Sequence, residues 1–154
     1  MQIKVKVNKT ISKLSIIILL SPVFCQVLIN EYSASNLSWY TDNYQLEEDW
    51  IELYNTGSTE EDISGYFLSD DPDEPAKWMI PGGTVIPADG YLVFWCSGRD
   101  EYSDNNYHTN FKLKQTKNNP DHVVLSDPYG SIINDFEMFK AQLNHSMGRS
   151  PNGS

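Results

Sequence analysis

Cysteine is nearly absent from this sequence, with two in 154 residues, Cys25 and Cys96. The first falls at the end of an N-terminal leader, so a processed chain would keep one thiol and no intramolecular disulfide. Stability then has to come from packing. Basic residues are scarce as well, 11 Lys and Arg against 21 Asp and Glu. Lys4, Lys6, Lys9 and Lys13 all lie in the first 25 residues, where no acid occurs. Without that leader 7 basic residues would face 21 acidic ones, a net charge of −14. Such a surface repels phosphate backbones, because nucleic-acid affinity draws heavily on Lys and Arg displacing counterions. Nucleic acid and anionic membranes are therefore excluded as expected partners. No apolar run approaches the about 20 residues of a membrane-spanning helix, and no stretch of comparable length has the period of an amphipathic helix. Gly-x-Ser-x-Gly, a phosphate-cradling glycine loop and His-Glu-x-x-His are all missing, which argues against the common hydrolases and phosphotransferases.

What is present begins with the layout of a secretory signal peptide over residues 1–25. A basic start leads into Leu14-Ser15-Ile16-Ile17-Ile18-Leu19-Leu20 and a short exit, Ser21-Pro22-Val23-Phe24-Cys25. Cleavage after Cys25 would make Gln26 the new N-terminus; bulky Phe24 speaks against retention and acylation of Cys25. The remainder, 26–154, reads as one soluble domain, because 40% hydrophobic and 21% charged residues are ordinary for a packed core. Short β-branched and aromatic runs fill it: Val27 to Tyr32, Trp50 to Tyr54, Gly65 to Leu68, Lys77 to Ile80, Tyr91 to Cys96, Val123 to Ser126 and Ser131 to Phe136. Turn residues separate them, as in Pro81-Gly82-Gly83 and Asp127-Pro128-Tyr129-Gly130. The pattern predicts an all-β antiparallel sandwich or barrel. Within Trp50 to Tyr54, alternation puts Ile51 and Leu53 on one face and Trp50, Glu52 and Tyr54 on the other. Asp127 to Gly130 predicts a hairpin turn.

Taken together, Ile29-Asn30-Glu31, Asp49-Trp50-Ile51-Glu52-Leu53-Tyr54-Asn55, Ile63-Ser64-Gly65-Tyr66-Phe67-Leu68-Ser69-Asp70-Asp71, Ile86-Pro87-Ala88-Asp89-Gly90-Tyr91-Leu92-Val93-Phe94, His108-Thr109-Asn110-Phe111 and Gly148-Arg149-Ser150-Pro151-Asn152-Gly153 resemble the lamin tail domain in its bacterial secreted form. The resemblance implies an immunoglobulin-like antiparallel β-sandwich without catalytic residues. The family pattern continues past the Gly-Arg segment into a last aromatic strand. Here that strand is expected to be missing, leaving a bare sheet edge and a truncated C-terminus. Two functions follow as expectations. One is a secreted, non-catalytic binding or spacer module attaching to a protein or a surface polysaccharide. The alternative is an N-terminal accessory domain of a larger secreted enzyme, such as a hydrolase, nuclease or spore-coat-kinase-like protein, with its catalytic part beyond Ser154.

Candidate sites are few. Asp70, Asp71, Asp73 and Glu74 crowd one turn, and hard cations such as calcium want several oxygen ligands on a loop. The same residue types also make an ordinary solvated turn, with Asp side chains bonding nearby amides. Trp39, Tyr40 and Tyr44 lie in a long polar segment between the first two strands. They would contact a ligand if displayed, or fill the core if folded inward. Trp50, Trp78 and Trp95 read as packing residues. Glu31 and Glu52, inside strands, could pair as general acid and base, but strand alternation makes them structural. His108 reads as a hydrogen-bonded loop anchor, and Cys96 as a buried, inert thiol. Lys112, Lys114 and Lys117 form the only basic patch.

Overall fold

Alternation along β2 (Trp50–Asn55) decides which side of the chain is buried: Ile51 and Leu53 are fully enclosed, while Glu52 and Tyr54 on the opposite face are half-buried. The computed structural model describes residues 26–115 and 120–154; the leader and Lys117 lie outside them. β2 sits near the middle of a six-stranded sheet. Its neighbours are β1 (Val27–Ser33) on one side and β7 (Tyr91–Trp95) on the other, both antiparallel. β8 (Glu101–Ser103), β9 (Asn106–His108) and β12 (Met147–Gly148) complete the order β12-β1-β2-β7-β9-β8. A second sheet runs β11-β10-β4-β5, from β4 (Phe67–Ser69), β5 (Trp78–Met79), β10 (His122–Ser126) and β11 (Ile132–Glu137). β3 (Glu61–Asp62) and β6 (Val85–Ile86) form a small ribbon beside them. Among the described residues there is no helix, and so none long and apolar enough to cross a membrane.

The two large sheets face each other with β1 against β10. Val27, Ile29, Ile51, Leu53 and Phe94 from the first sheet meet Leu68, Trp78, Val123 and Leu125 from the second. Each such side chain contributes about 1.5–3 kcal/mol by leaving water, which is how a domain with one free cysteine holds together. That cysteine, Cys96, is itself buried in this core. The expected sandwich is present, with the expected hairpin joining β10 to β11. Asp127 N–H donates to Ser131 O (2.9 Å), the Asp127 carboxylate takes the amides of Tyr129 and Ser131, and Gly130 supplies a φ of 81°.

Three features depart from the sequence reading. β7 and β9 run parallel, because the chain leaves β7, turns through Cys96 to Asp100, and brings the β8–β9 hairpin back so that β9 inserts next to β7. The turn of that hairpin is Asp104-Asn105, with φ values of 50° and 59°, the twist that suits a two-residue connection. Second, β1 and β2 slip register between Ile29 and Glu31, a bulge that leaves Asn30 unpaired and puts Glu31 opposite Glu52. Third, the β1 edge is not bare. β12 pairs with Glu31 and Tyr32, and beyond it the Arg149 amide and Nε donate to Asn30 O (2.9 Å) and Ile29 O (2.8 Å). Ile29 N–H donates to Asn134 Oδ1 (3.0 Å), and the Arg149 guanidinium lies 4.7 Å over the Phe136 ring. Two paired residues are too few to show a strand period, so this closure left no mark in the sequence.

Candidate functional site

The segment between β1 and β2 exposes three aromatic side chains, Trp39, Tyr40 and Tyr44, yet it is a tightly bonded loop. Asn36, buried despite its polarity, ties its two ends together. Its Nδ2 donates to Tyr40 O (2.7 Å) and Glu48 O (2.9 Å), its Oδ1 accepts from the amides of Trp39 and Tyr40, and its own amide donates to Asp49 Oδ1. Burial, first of all, raises the Asp49 carboxyl above its ordinary range; the Asn36 bond opposes that shift and the nearby Glu48 adds to it. Asp42 is the second anchor. Its Oδ1 accepts from the amides of Tyr44 (2.8 Å) and Leu46 (3.0 Å), and its Oδ2 pairs with Arg99 Nη1 at 2.8 Å. Arg99 also reaches Glu48 Oε1 (3.2 Å), whose other oxygen is 3.1 Å from Lys112 Nζ. On the far side Asn144 holds Leu37 and Ser38 through its side-chain amide.

His108 closes the arrangement from below. It is fully buried on β9, where sequence placed a loop anchor; the anchoring holds, but from a strand. Its Nε2 lies 2.8 Å from Asn43 Oδ1 and its Nδ1 3.0 Å from Ser97 Oγ, a set that the neutral ring with the proton on Nε2 satisfies. Burial lowers its pKa and the neighbouring Arg99 charge lowers it further, against the pull of Asp42, Glu101 and Glu48.

This framework displays Trp39 and Tyr40, which are 61% and 52% exposed. Tyr40 meets Trp50 edge to face, with centroids 6.1 Å apart at 88°, and Trp39 lies 5.5 Å from Tyr40 at 40°. Trp50 is paired across the ladder with Trp95, whose Nε1 donates to Asn106 Oδ1 (3.0 Å). The four rings wall a groove of about 410 Å³ on the outer face of the six-stranded sheet, with Glu31, Glu52, Val93, Asn105, Asn106 and Ser146 among its other lining residues. Glu52 accepts from Asn30 Nδ2 at 2.9 Å. Burial raises its pKa, the Asn30 bond lowers it, and Glu31 opposite raises it again.

Sequence therefore named two of the four walls. Tyr44, grouped with them, sits elsewhere: its hydroxyl donates to Glu101 (2.5 Å) and its ring lies under Arg99, 4.7 Å from Cζ. Trp50 and Trp95, read as packing residues, are buried but turn one side to the groove. The alternation that put Trp50 and Glu52 on the face away from Ile51 was the signal for Trp50. In the acidic turn, part of the carboxylate set already has partners within the chain. Asp70 Oδ1 is 2.5 Å from Lys77 Nζ and Glu74 lies 3.8 Å from it, while Asp71 caps the amide of Asp73. Burial pulls the Lys77 pKa down, but the bond to Asp70 and the charges of Asp70, Glu74 and Asp71 outweigh it, and the net shift is upward. Among the described residues no three His, Cys, Asp or Glu side chains are grouped as a metal site requires. Of the basic patch, Lys112 is held by Glu48.

A family model described as the lamin tail domain matches residues 22–139 of the chain. That range takes in every strand from β1 to β11 and the whole groove except Ser146. No curated protein matches the chain.

Proposed function

Because the chain belongs to the lamin tail domain family, whose immunoglobulin-like unit generally serves as a non-catalytic module, we propose that it is a secreted binding module. Its ligand, a protein or a surface carbohydrate, lies in the groove between Trp39, Tyr40, Trp50 and Trp95. One observation carries the reading. Two large aromatic side chains stand more than half exposed on a loop tied down by Asn36 and Asp42, beside a cavity. A loop that only needed to close the sheet would turn those rings inward. Rings held ready in one place lose little conformational freedom on binding, which favours recognition.

Secretion rests on the basic-then-apolar leader, Lys4 to Leu20. An intact mass of about 15 kDa for the exported chain, the expected result of cleavage near Gln26, supports it; retention of the leader in cells would contradict it. For binding, the wild type and a Trp39→Ala/Tyr40→Ala variant are compared on arrays of surface polysaccharides and surface proteins. Retention of a ligand by the wild type and its loss in the variant is the expected result. Equal retention by both would remove the groove as the binding face.

A further inference from the structure

The groove has a charge of one sign and a shape that narrows its occupant. Among the described residues, Glu31 and Glu52 are its only charged lining residues, and no Lys, Arg or His lines it. Among the described residues neither glutamate makes an ion pair. The β1 bulge sets them directly opposite each other, an arrangement that destabilises a sheet unless something positive lies between. Asn30 answers one oxygen of Glu52 and no more. The rings are equally informative. Tyr40 and Trp50 meet at 88°, so they form a corner rather than the flat platform on which a sugar ring lies. Trp95 Nε1, the natural donor to a sugar hydroxyl, is already given to Asn106. Aromatic faces converging near carboxylates attract an organic cation, whose charge sees the negative face of each ring within about 6 Å.

Resting on the groove as the binding face, we infer that it takes the ammonium group of a lysine side chain presented by a basic segment of a partner protein. The ammonium sits toward Glu31 and Glu52, among the faces of Trp39, Tyr40 and Trp50. The net negative charge of the whole chain, −10 with the leader included, draws such a segment in and makes its arrival sensitive to salt.

The test titrates the full chain with acetylated tetralysine amide at low ionic strength, following tryptophan fluorescence, beside the norleucine peptide and the neutral oligosaccharide chitotetraose. Saturable binding of the lysine peptide, weakened by salt and absent for norleucine, is expected. Glu31→Gln/Glu52→Gln and Trp39→Ala each weaken it by about tenfold or more, whereas Glu60→Gln/Glu61→Gln, the same charge change outside the groove, leaves it unchanged. Removing two facing like charges does not endanger folding, and an unchanged or raised melting temperature for Glu31→Gln/Glu52→Gln verifies that. Equal weakening by both double variants would reduce the effect to diffuse charge and overturn the inference. Absence of lysine-peptide binding overturns it too. In that case chitotetraose binding lost in Trp39→Ala keeps the groove as the binding face, and no chitotetraose binding leaves the array comparison to decide that reading by itself.

Discussion

Arg99 and Asp42 stand 57 residues apart in sequence and 2.8 Å apart in space, the guanidinium Nη1 against a carboxylate oxygen that is wholly buried. Asp42 holds the loop amides of Tyr44 and Leu46 on its other oxygen, so one carboxylate joins the aromatic loop to the far end of the sheet. Asp42→Ala is expected to lower stability by about 3 kcal/mol, because it orphans two amides and a partly buried cation together. Urea denaturation measures it. Asp42→Ala/Arg99→Ala should lose less than the sum of the two single variants; strict additivity would mean that the pair is not coupled.

A second expectation concerns acid. His108 is held neutral, with a folded-state pKa below its ordinary value of 6.5. The unfolded chain therefore takes up the proton first as the pH falls. The contribution of this residue is complete above about pH 6.5 and is lost as the pH drops from there through the lowered folded value. Asp49 and Glu52 run the other way: their raised folded-state pKa values favour the folded chain as they protonate at lower pH. The histidine part is isolated by subtraction. Between pH 7 and pH 5.5 the wild type should lose more stability than His108→Asn, and identical slopes would assign the acid sensitivity elsewhere.

Trp39 and Trp95 should separate cleanly in a stability assay although both touch the groove. Trp39→Ala removes a ring that is mostly in water and should change stability by less than about 0.5 kcal/mol. Trp95→Ala opens a cavity and strands the Asn106 carbonyl, costing about 3 kcal/mol. A large loss for Trp39→Ala would make that ring a structural member of the loop instead of a displayed one.

Cys96 should resist thiol reagents in the native state. Burial, and after it the nearby Asp49 charge, pushes the thiol well above its ordinary pKa, so it has neither access nor thiolate character. Labelling is expected only after denaturation, one equivalent per processed chain. Rapid labelling of the folded protein would place Cys96 on a surface that opens.

How much of this was legible follows from length and range. β2, β7, β10 and β11 have five or six residues each, enough for alternation to show, and the Asp127 to Gly130 turn carries its own residue signal. β3, β6 and β12 have two residues each and offer no period. β8 and β9 are polar and fell outside the sequence reading; the signal that could have found them is the Asp104-Asn105 pair at their turn. The display of Trp39 and Tyr40 depends on Asn36 and Asp42 answering the loop backbone and on Arg99 arriving from a distant strand end. A local reading of the segment cannot supply those partners. The same holds for Lys77, which answers Asp70 across a turn whose composition alone suggested a cation from solution.

Arg149 and Asn134 together occupy the flank of β1. A strand laid along that flank would need the carbonyls of Ile29 and Asn30 and the amide of Ile29, and all three are already engaged by side chains and by the residue after β12. Recruitment of a neighbouring chain there has to wait until the tail from Met147 onward peels away. The tail thus works as a guard over that margin, and trimming it would free the carbonyls of Ile29 and Asn30 as a template for another strand.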